Sequence, residues 1–178
     1  MPTPTSLPSS WTAGDVLTSA SLNNIRGAFR ILQVVQSAKT DTSTMSGSTF
    51  TDIPGLSVTI TPYSNTSKFL LFAQVNFGSN NQPVQFRFTG GNSGNYVGDT
   101  AGSRTRVAMD KDGESLDSMV DVSFLYLDSP ATASAVTYKV QAKVTNANTF
   151  YINRSNTDTD SATFARGASN LIVCEVSA

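Results

Sequence analysis

The sequence predicts an all-β protein, an antiparallel β-sandwich of the jelly-roll type preceded by a short N-terminal extension and one helix. Three observations indicate this fold class. Beyond about residue 31, apolar residues alternate with polar ones at a period of two. Turn-forming residues separate these runs at short intervals. Only one stretch has helical spacing, so a fold built from βαβ units is not expected.

Each predicted strand is an apolar or alternating run bounded by turn residues. The clearest, 135–145, places five side chains on its inward face: Val136, Tyr138, Val140, Ala142 and Val144. Segment 67–78 is apolar on both faces at its start, which is typical of a central strand. The others are 32–38, 56–62, 83–90, 120–128, 149–154 and 170–176, with a further short strand within 104–110. Eight or nine strands suit the two sheets of a jelly roll.

Residues 11–32 are the one segment that predicts a helix. Thr18 is a suitable N-cap, and four apolar residues follow at spacings of three, four and three along one face: Leu22, Ile25, Phe29 and Leu32. A seam shorter than two heptads does not form a stable helix by itself. It must be buried, either against an edge of the sandwich or against copies of itself. We therefore divide the chain into an N-terminal segment, 1–33, and a β-sandwich domain, 34–178.

The sequence offers no arrangement that predicts an enzyme or a cofactor. It contains no histidine, which removes the usual base of nucleophilic triads and the commonest zinc ligand. A paired-carboxylate mechanism would draw on a cluster at Asp110, Asp112, Glu114 and Asp117. This spacing is typical of a solvated acidic turn, so we expect no catalytic residue.

A second polar cluster has part of a calcium-loop pattern. Asn156, Asp158 and Asp160 stand at alternate positions, like the first half of such a loop. The central glycine and the distal glutamate are missing, because position 161 is serine and position 167 is glycine. We expect a hydrogen-bonded turn and no metal. The single cysteine, Cys174, is expected to be a small buried apolar residue.

Charge and hydropathy exclude two classes of partner. The formal net charge is −1 with a pI of about 5.2, and the twelve lysines and arginines are scattered, so no nucleic-acid partner is expected. No apolar run approaches the roughly 20 residues that span a bilayer, so we expect no membrane insertion. The first ten residues contain three prolines and do not have the pattern of a signal peptide.

Two long polar segments, 89–118 and 155–169, are predicted to be loops, where binding residues concentrate on rigid scaffolds. Their aromatic and basic side chains could offer a stacking face and hydrogen-bond donors to a surface glycan. The candidate contacts are Tyr96, Arg104, Arg106, Arg154 and Arg166, with Tyr151 beside them. The alternative is that these side chains only tie the loops together.

The N-terminal motif WTAGDVLTSASLNNIRG, 11–27, resembles a short segment found on many bacteriophage tail and fibre proteins. The body resembles small β-domains of phage virion proteins, especially from phages of cyanobacteria and marine bacteria. Four segments carry the likeness: GLSVTITPYSNTSKFLL (55–71), GDTAGSR (98–104), LDSPATASAVTYKVQAK (127–143) and YINRSNTDTDSATFARGASNLIVCEV (151–176).

The resemblance implies a structural role in the virion and no catalytic residue. It implies a homotrimeric tail or head fibre, attached to other virion proteins through residues 1–33 and displaying the sandwich, which could contact the host surface. The helical seam would then be a trimerisation seam at a threefold axis. Two alternatives remain open: a capsid decoration or cement protein, and a free carbohydrate-binding lectin.

Overall fold

A computed structural model of the protein describes Gly14 and residues 31–177. The described chain forms ten strands and two single-turn 3-10 helices, and no α-helix lies within it. The strands are β1 (Ile31–Lys39), β2 (Ser43–Ser46), β3 (Thr51–Ile60), β4 (Lys68–Ser79), β5 (Pro83–Thr89), β6 (Met109–Asp112), β7 (Val120–Asp128), β8 (Val136–Val144), β9 (Thr149–Ile152) and β10 (Ser169–Val176). The 3-10 turns are Ser93–Asn95 and Thr145–Ala147.

The strands pair into two antiparallel sheets. Sheet A has six strands, of which β1, β10, β4 and β7 are neighbours in that order, and sheet B has four, in the order β3-β8-β5-β6. Phe77 of β4 pairs with both β7 and β9, so β9 follows β10 along the same edge of β4. Strand β2 pairs with β9 and extends that edge. The all-β antiparallel sandwich that the sequence predicts is confirmed.

The core lies between the inner faces of the two sheets. Aromatic side chains from both layers meet there: the ring centroids of Phe77 and Phe86 are 5.2 Å apart, and those of Phe88 and Phe124 are 4.5 Å apart. All five side chains predicted to face inward from β8 are buried. Alternation along one strand therefore identified its core face correctly, because successive side chains point to opposite sides of a sheet.

Strand β4 is central, as its continuous apolar start indicated, since it pairs with β7 on one edge and with β10 and β9 on the other. Strand β6 lies at the end of the segment 104–110 in which a short strand was expected. Strand β2 was not predicted. Its four residues, STMS, carry one apolar side chain, Met45, which is too little for a periodic signal.

The predicted C-terminal end of the helix, at residues 31 and 32, is wrong. Ile31 and Leu32 lie in β1, not in the last turn of a helix over 11–32, and Leu32 is therefore not a member of a helical seam. Pairing with β10 satisfies backbone groups from Ile31 to Lys39, which outweighs a short helical pattern. The body thus begins before residue 34. Leu22, Ile25, Phe29 and the rest of the predicted helix lie outside the described residues.

Candidate functional site

Sheet A carries two rows of apolar side chains on its outer face. One row crosses β1, β10, β4 and β7 as Val34, Cys174, Leu70 and Leu127, which are successive register partners. The next row is Ile172, Phe72 and Leu125. We call these seven residues the apolar face. The neighbouring row turns polar, with Asn170, Gln74 and Ser123.

Much of the apolar face is open to solvent. Leu125 is 56% exposed, Val34 55%, Leu127 47% and Phe72 38%. A shallow cavity of about 530 Å³ lies over the second row and is lined by Phe72, Leu125 and Ile172. Soluble monomers rarely expose a contiguous apolar patch across a whole sheet, and such patches mark interaction surfaces.

Strand β10 contributes Cys174 and Ile172 to the apolar face, and Cys174 is the more buried of the two. It is 8% exposed, and burial raises the pKa of its thiol. The sequence-based expectation of a small buried apolar residue is confirmed. A thiol of raised pKa is a poor nucleophile at neutral pH, so Cys174 contributes packing and not reactivity.

Sheet B carries a different surface on its own outer face, a cavity of about 620 Å³ that we call the basic pocket. Four cationic side chains line it: Arg87 of β5, Lys143 of β8, and Arg104 and Arg106 of the segment between β5 and β6. Phe50 lies among them, and its ring centroid is 4.1 Å from the guanidinium carbon of Arg87 and 5.3 Å from the Lys143 ammonium nitrogen. Arg104 and Arg106, two of the candidate surface contacts predicted from the sequence, therefore both line the basic pocket.

Neutral groups hold these cations in position. Nε of Arg87 donates to Oε1 of Gln141 at 2.9 Å, and Nζ of Lys143 donates to the Thr105 hydroxyl at 3.2 Å. Nε of Arg106 donates to the Gly98 carbonyl at 2.5 Å. Within residues 31–177, none of the four pocket cations makes an ion pair with a carboxylate.

The nearest carboxylate in this hydrogen-bond network is already engaged. Oδ1 of Asp52 accepts a hydrogen bond from Gln141, and Oδ2 accepts one from Lys139 at 2.7 Å. The hydrogen bond from Lys139, followed by that from Gln141, holds the pKa of Asp52 below its ordinary value. Asp52 is thus ionised at neutral pH and fixes Gln141, which in turn fixes Arg87.

The other candidate surface residues lie elsewhere. Tyr96 stacks on Tyr126 with ring centroids 4.9 Å apart and packs against the core. Arg154 lies over the Tyr151 ring at 3.6 Å. Tyr96 therefore packs against other aromatic side chains, and Arg154 rests on the Tyr151 ring.

Asp158, which lies in the segment with part of a calcium-loop pattern, is an ion-pair partner. Its carboxylate lies 2.7 Å from a terminal nitrogen of Arg166 and 3.8 Å from Nε of Arg154. Within the described part of the chain, no group of three His, Cys, Asp or Glu side chains is placed to hold a metal ion. Positive charge on both sides of Asp158 makes it a poor ligand for a cation.

The acidic cluster after β5 is spread along β6 and the turn that follows it, with all four carboxylates exposed. Asp110 accepts a hydrogen bond from Gln85 at 3.0 Å. No helix of residues 31–177 has the length and apolarity needed to cross a membrane.

The sequence-based interpretation missed three contributors to the basic pocket: Arg87, Lys143 and Phe50. Arg87 and Lys143 are half-buried at outward positions of β5 and β8, and strand alternation indicates this outward direction. What alternation cannot supply is the pairing of β5 with β8, which brings them to the same part of sheet B. The loop residues Arg104 and Arg106 then close over that part of the sheet.

No protein-family model matches the chain, and no curated protein matches it. Twelve chains of solved structures match, among them one from the structure of infectious bursal disease virus, Gx strain. That match has 12% sequence identity and a TM-score of 0.38, and it covers 81% of this chain and 39% of that chain. The protein thus spans well under half the length of the viral chain. A likeness at this level identifies neither a family nor a function.

Proposed function

We propose that the protein is a structural component of a virion, a homotrimeric tail or head fibre whose copies associate through the apolar face of sheet A. The observation that carries this proposal is the apolar face itself. Its two rows contain no charged side chain. The first row crosses β1, β10, β4 and β7, a width of about 14 Å at the usual strand spacing, and the second crosses β10, β4 and β7. Covering the exposed halves of its most open residues contributes about 1 kcal/mol each, before ordering costs.

Further copies of the same chain are the occupant that we propose for this face. The sandwich begins at Ile31, which is 63% exposed and pairs with Val176, the register partner of Lys68 at this end of sheet A. The predicted seam of Leu22, Ile25 and Phe29 ends just before that point. The predicted seam precedes the apolar face along the chain, and one symmetric association would bury both of them.

We also classify the sandwich as a jelly roll. Two facing layers support this: sheet A contains the four neighbours β1-β10-β4-β7 together with β9 and β2, and sheet B is β3-β8-β5-β6. The chain crosses between the layers at most of its connections, as interleaved Greek keys require. The virion role rests on the resemblance of residues 11–27 to N-terminal segments of phage tail and fibre proteins, and residues 1–10 would attach to other virion proteins.

The test is the solution mass of the full chain, measured by light scattering after size exclusion. We expect a trimer. The double variant Leu125→Asn, Leu127→Asn should move towards monomer, because it places one amide in each apolar row of the proposed interface, on the edge strand β7. The matched control is Leu116→Asn, an equally open leucine (44% exposed) outside the apolar face, which should remain trimeric.

A monomeric full chain, or a double variant as trimeric as its control, would overturn the proposal. A chain starting at residue 31 separates the two surfaces: the sheet interface alone should still give detectable trimer. The virion role has its own readout, the presence of the chain in purified particles by mass spectrometry. Absence from particles would overturn that role and leave the self-association standing.

A further inference from the structure

The basic pocket combines cations that have no acidic partner with a cavity of defined shape. Four positive side chains meet at about 620 Å³ of open space, and no carboxylate of residues 31–177 pairs with any of them. Like charges gathered in one place repel each other, so this arrangement costs free energy in the unliganded protein. An anion that enters the cavity removes the repulsion.

The donors are also arranged in advance. Phe50 stacks against Arg87, and Gln141 engages only Nε of Arg87. The two terminal NH₂ groups of Arg87 therefore remain for an oxyanion, which a guanidinium binds in a bidentate manner. Rigid support of this kind reduces the ordering cost of binding.

We propose that the basic pocket binds an acidic polysaccharide by a carboxylate or sulfate group, with Arg87 as the central anchor. Arg106 and Lys143 would supply further charge, and the Thr49 and Thr105 hydroxyls that line the cavity would bond to sugar hydroxyls. The pocket lies on the outer face of sheet B, opposite the apolar face. Self-association through sheet A therefore leaves it open, and the inference does not depend on that association.

A polysaccharide fits the charge distribution better than a nucleic acid does. Nucleic-acid surfaces usually carry a basic stripe on a strongly basic domain. This chain has a formal net charge of −1, and four of its twelve lysines and arginines meet at one cavity. A local site of this kind suits spaced acidic groups along a largely uncharged polymer.

The test uses the full chain and three polymers of similar length: polygalacturonate, dextran sulfate and neutral dextran. Titration calorimetry at two salt concentrations should show binding of at least one charged polymer and none of neutral dextran, with binding weaker at high salt. Preference between the two charged polymers tells carboxylate from sulfate as the recognised group.

Substitutions then locate the site. Arg87→Gln should weaken binding at least about tenfold, and Arg87→Lys should weaken it less because it keeps the charge but loses the fork. Arg106→Gln, in an exposed loop, should also weaken binding. Because this substitution should not disturb folding, it tests the site even if the Arg87 variants fold poorly. The charge-matched control, Lys68→Gln on sheet A, should change affinity less than about twofold.

Three results would overturn the proposal. The first is that neither charged polymer binds. The second is that Lys68→Gln weakens binding as much as Arg106→Gln does, which would make the attraction a property of overall charge. The third is that single-stranded DNA binds more tightly than either polymer.

Discussion

The hydroxyl of Tyr138 donates a 2.7 Å hydrogen bond to Oδ2 of Asp128 inside the sandwich, where both residues are fully buried. Tyr138 belongs to β8 of sheet B and Asp128 ends β7 of sheet A, so this bond joins the two layers. The same carboxylate accepts the backbone N–H of Asn92, at 3.2 and 3.1 Å to its two oxygens. One buried carboxylate thus holds both sheets and the loop after β5.

Removing the Tyr138 hydroxyl should lower the free energy of unfolding by about 1–2 kcal/mol, because Tyr138→Phe leaves a buried carboxylate with one partner fewer.

Burial, and then the adjacent Asp128, raise the pKa of Tyr138 above its ordinary value of 10.0. The folded protein therefore keeps a proton that the unfolded chain loses above about pH 10, and stability should fall as pH rises there. Denaturant unfolding from pH 8 to pH 11 would show this fall, and Tyr138→Phe should make it shallower. An equal slope in both proteins would contradict the assignment.

Gly90 should not tolerate a side chain. Its φ is +104°, and a Cβ atom there would lie 2.1 Å from the Thr137 carbonyl oxygen. Gly90→Ala should lower the free energy of unfolding by at least about 2 kcal/mol, since neither the backbone nor a strand carbonyl can give way easily. The matched control is Gly94→Ala, where nothing lies within 4 Å of the added carbon. Chemical denaturation measures the free energy of unfolding of both variants. Similar losses in the two would contradict this prediction, because they would show that the contact with the Thr137 carbonyl is easily relieved.

Asn153 stabilises a crossing of three segments. It is fully buried with φ at +62°, and its Nδ2 donates to the carbonyls of Lys39 and Asp41 at 2.8 and 2.9 Å. Its Oδ1 accepts the Ser169 hydroxyl at 2.6 Å. We expect Asn153→Ala to cost about 2–4 kcal/mol in thermal or chemical unfolding. The exposed Asn65→Ala should cost almost nothing, and a comparable cost in both would refute this role.

Calcium should leave the protein unchanged. Arg154 and Arg166 already neutralise Asp158, so a divalent cation would have to displace two positive groups. Excess calcium, or a chelator, should shift the unfolding midpoint by less than about 1 °C, because a ligand stabilises only a state to which it binds. Arg166→Gln in parallel tests whether freeing Asp158 creates a site. A clear calcium-dependent rise for the wild-type chain would count against the ion-pair interpretation.

Strand periodicity predicted much of the sandwich because a half-buried strand repeats every two residues. The five inward residues of β8 are the clearest example, and the continuous apolar start of β4 correctly indicated a central strand. Periodicity did not show that Leu70 and Phe72, on the second face of β4, belong to a surface open to solvent. A strand covered by another layer and a strand covered by another molecule carry the same apolar pattern.

The helical spacing up to Leu32 illustrates the opposite error. Four apolar residues at intervals of three and four fit a helix, yet Leu32 lies in β1. Backbone pairing with β10, together with the amide of Gln33 bonded to the Glu175 carboxylate at 2.5 Å, fixes that strand through residues 142 positions apart in the chain. Local spacing contains no information about such a partner.

The pairing of Ile31 with Val176 has a consequence for the connectivity of the sandwich. The Cα atoms of directly opposed residues in an antiparallel pair lie about 5 Å apart. The start of β1 therefore lies beside the end of β10 at one corner of sheet A. A short glycine-rich linker could join these two positions and close the sandwich into a ring. New ends opened in an exposed turn, such as the one around Ala133, would then give a circular permutant with the same two sheets.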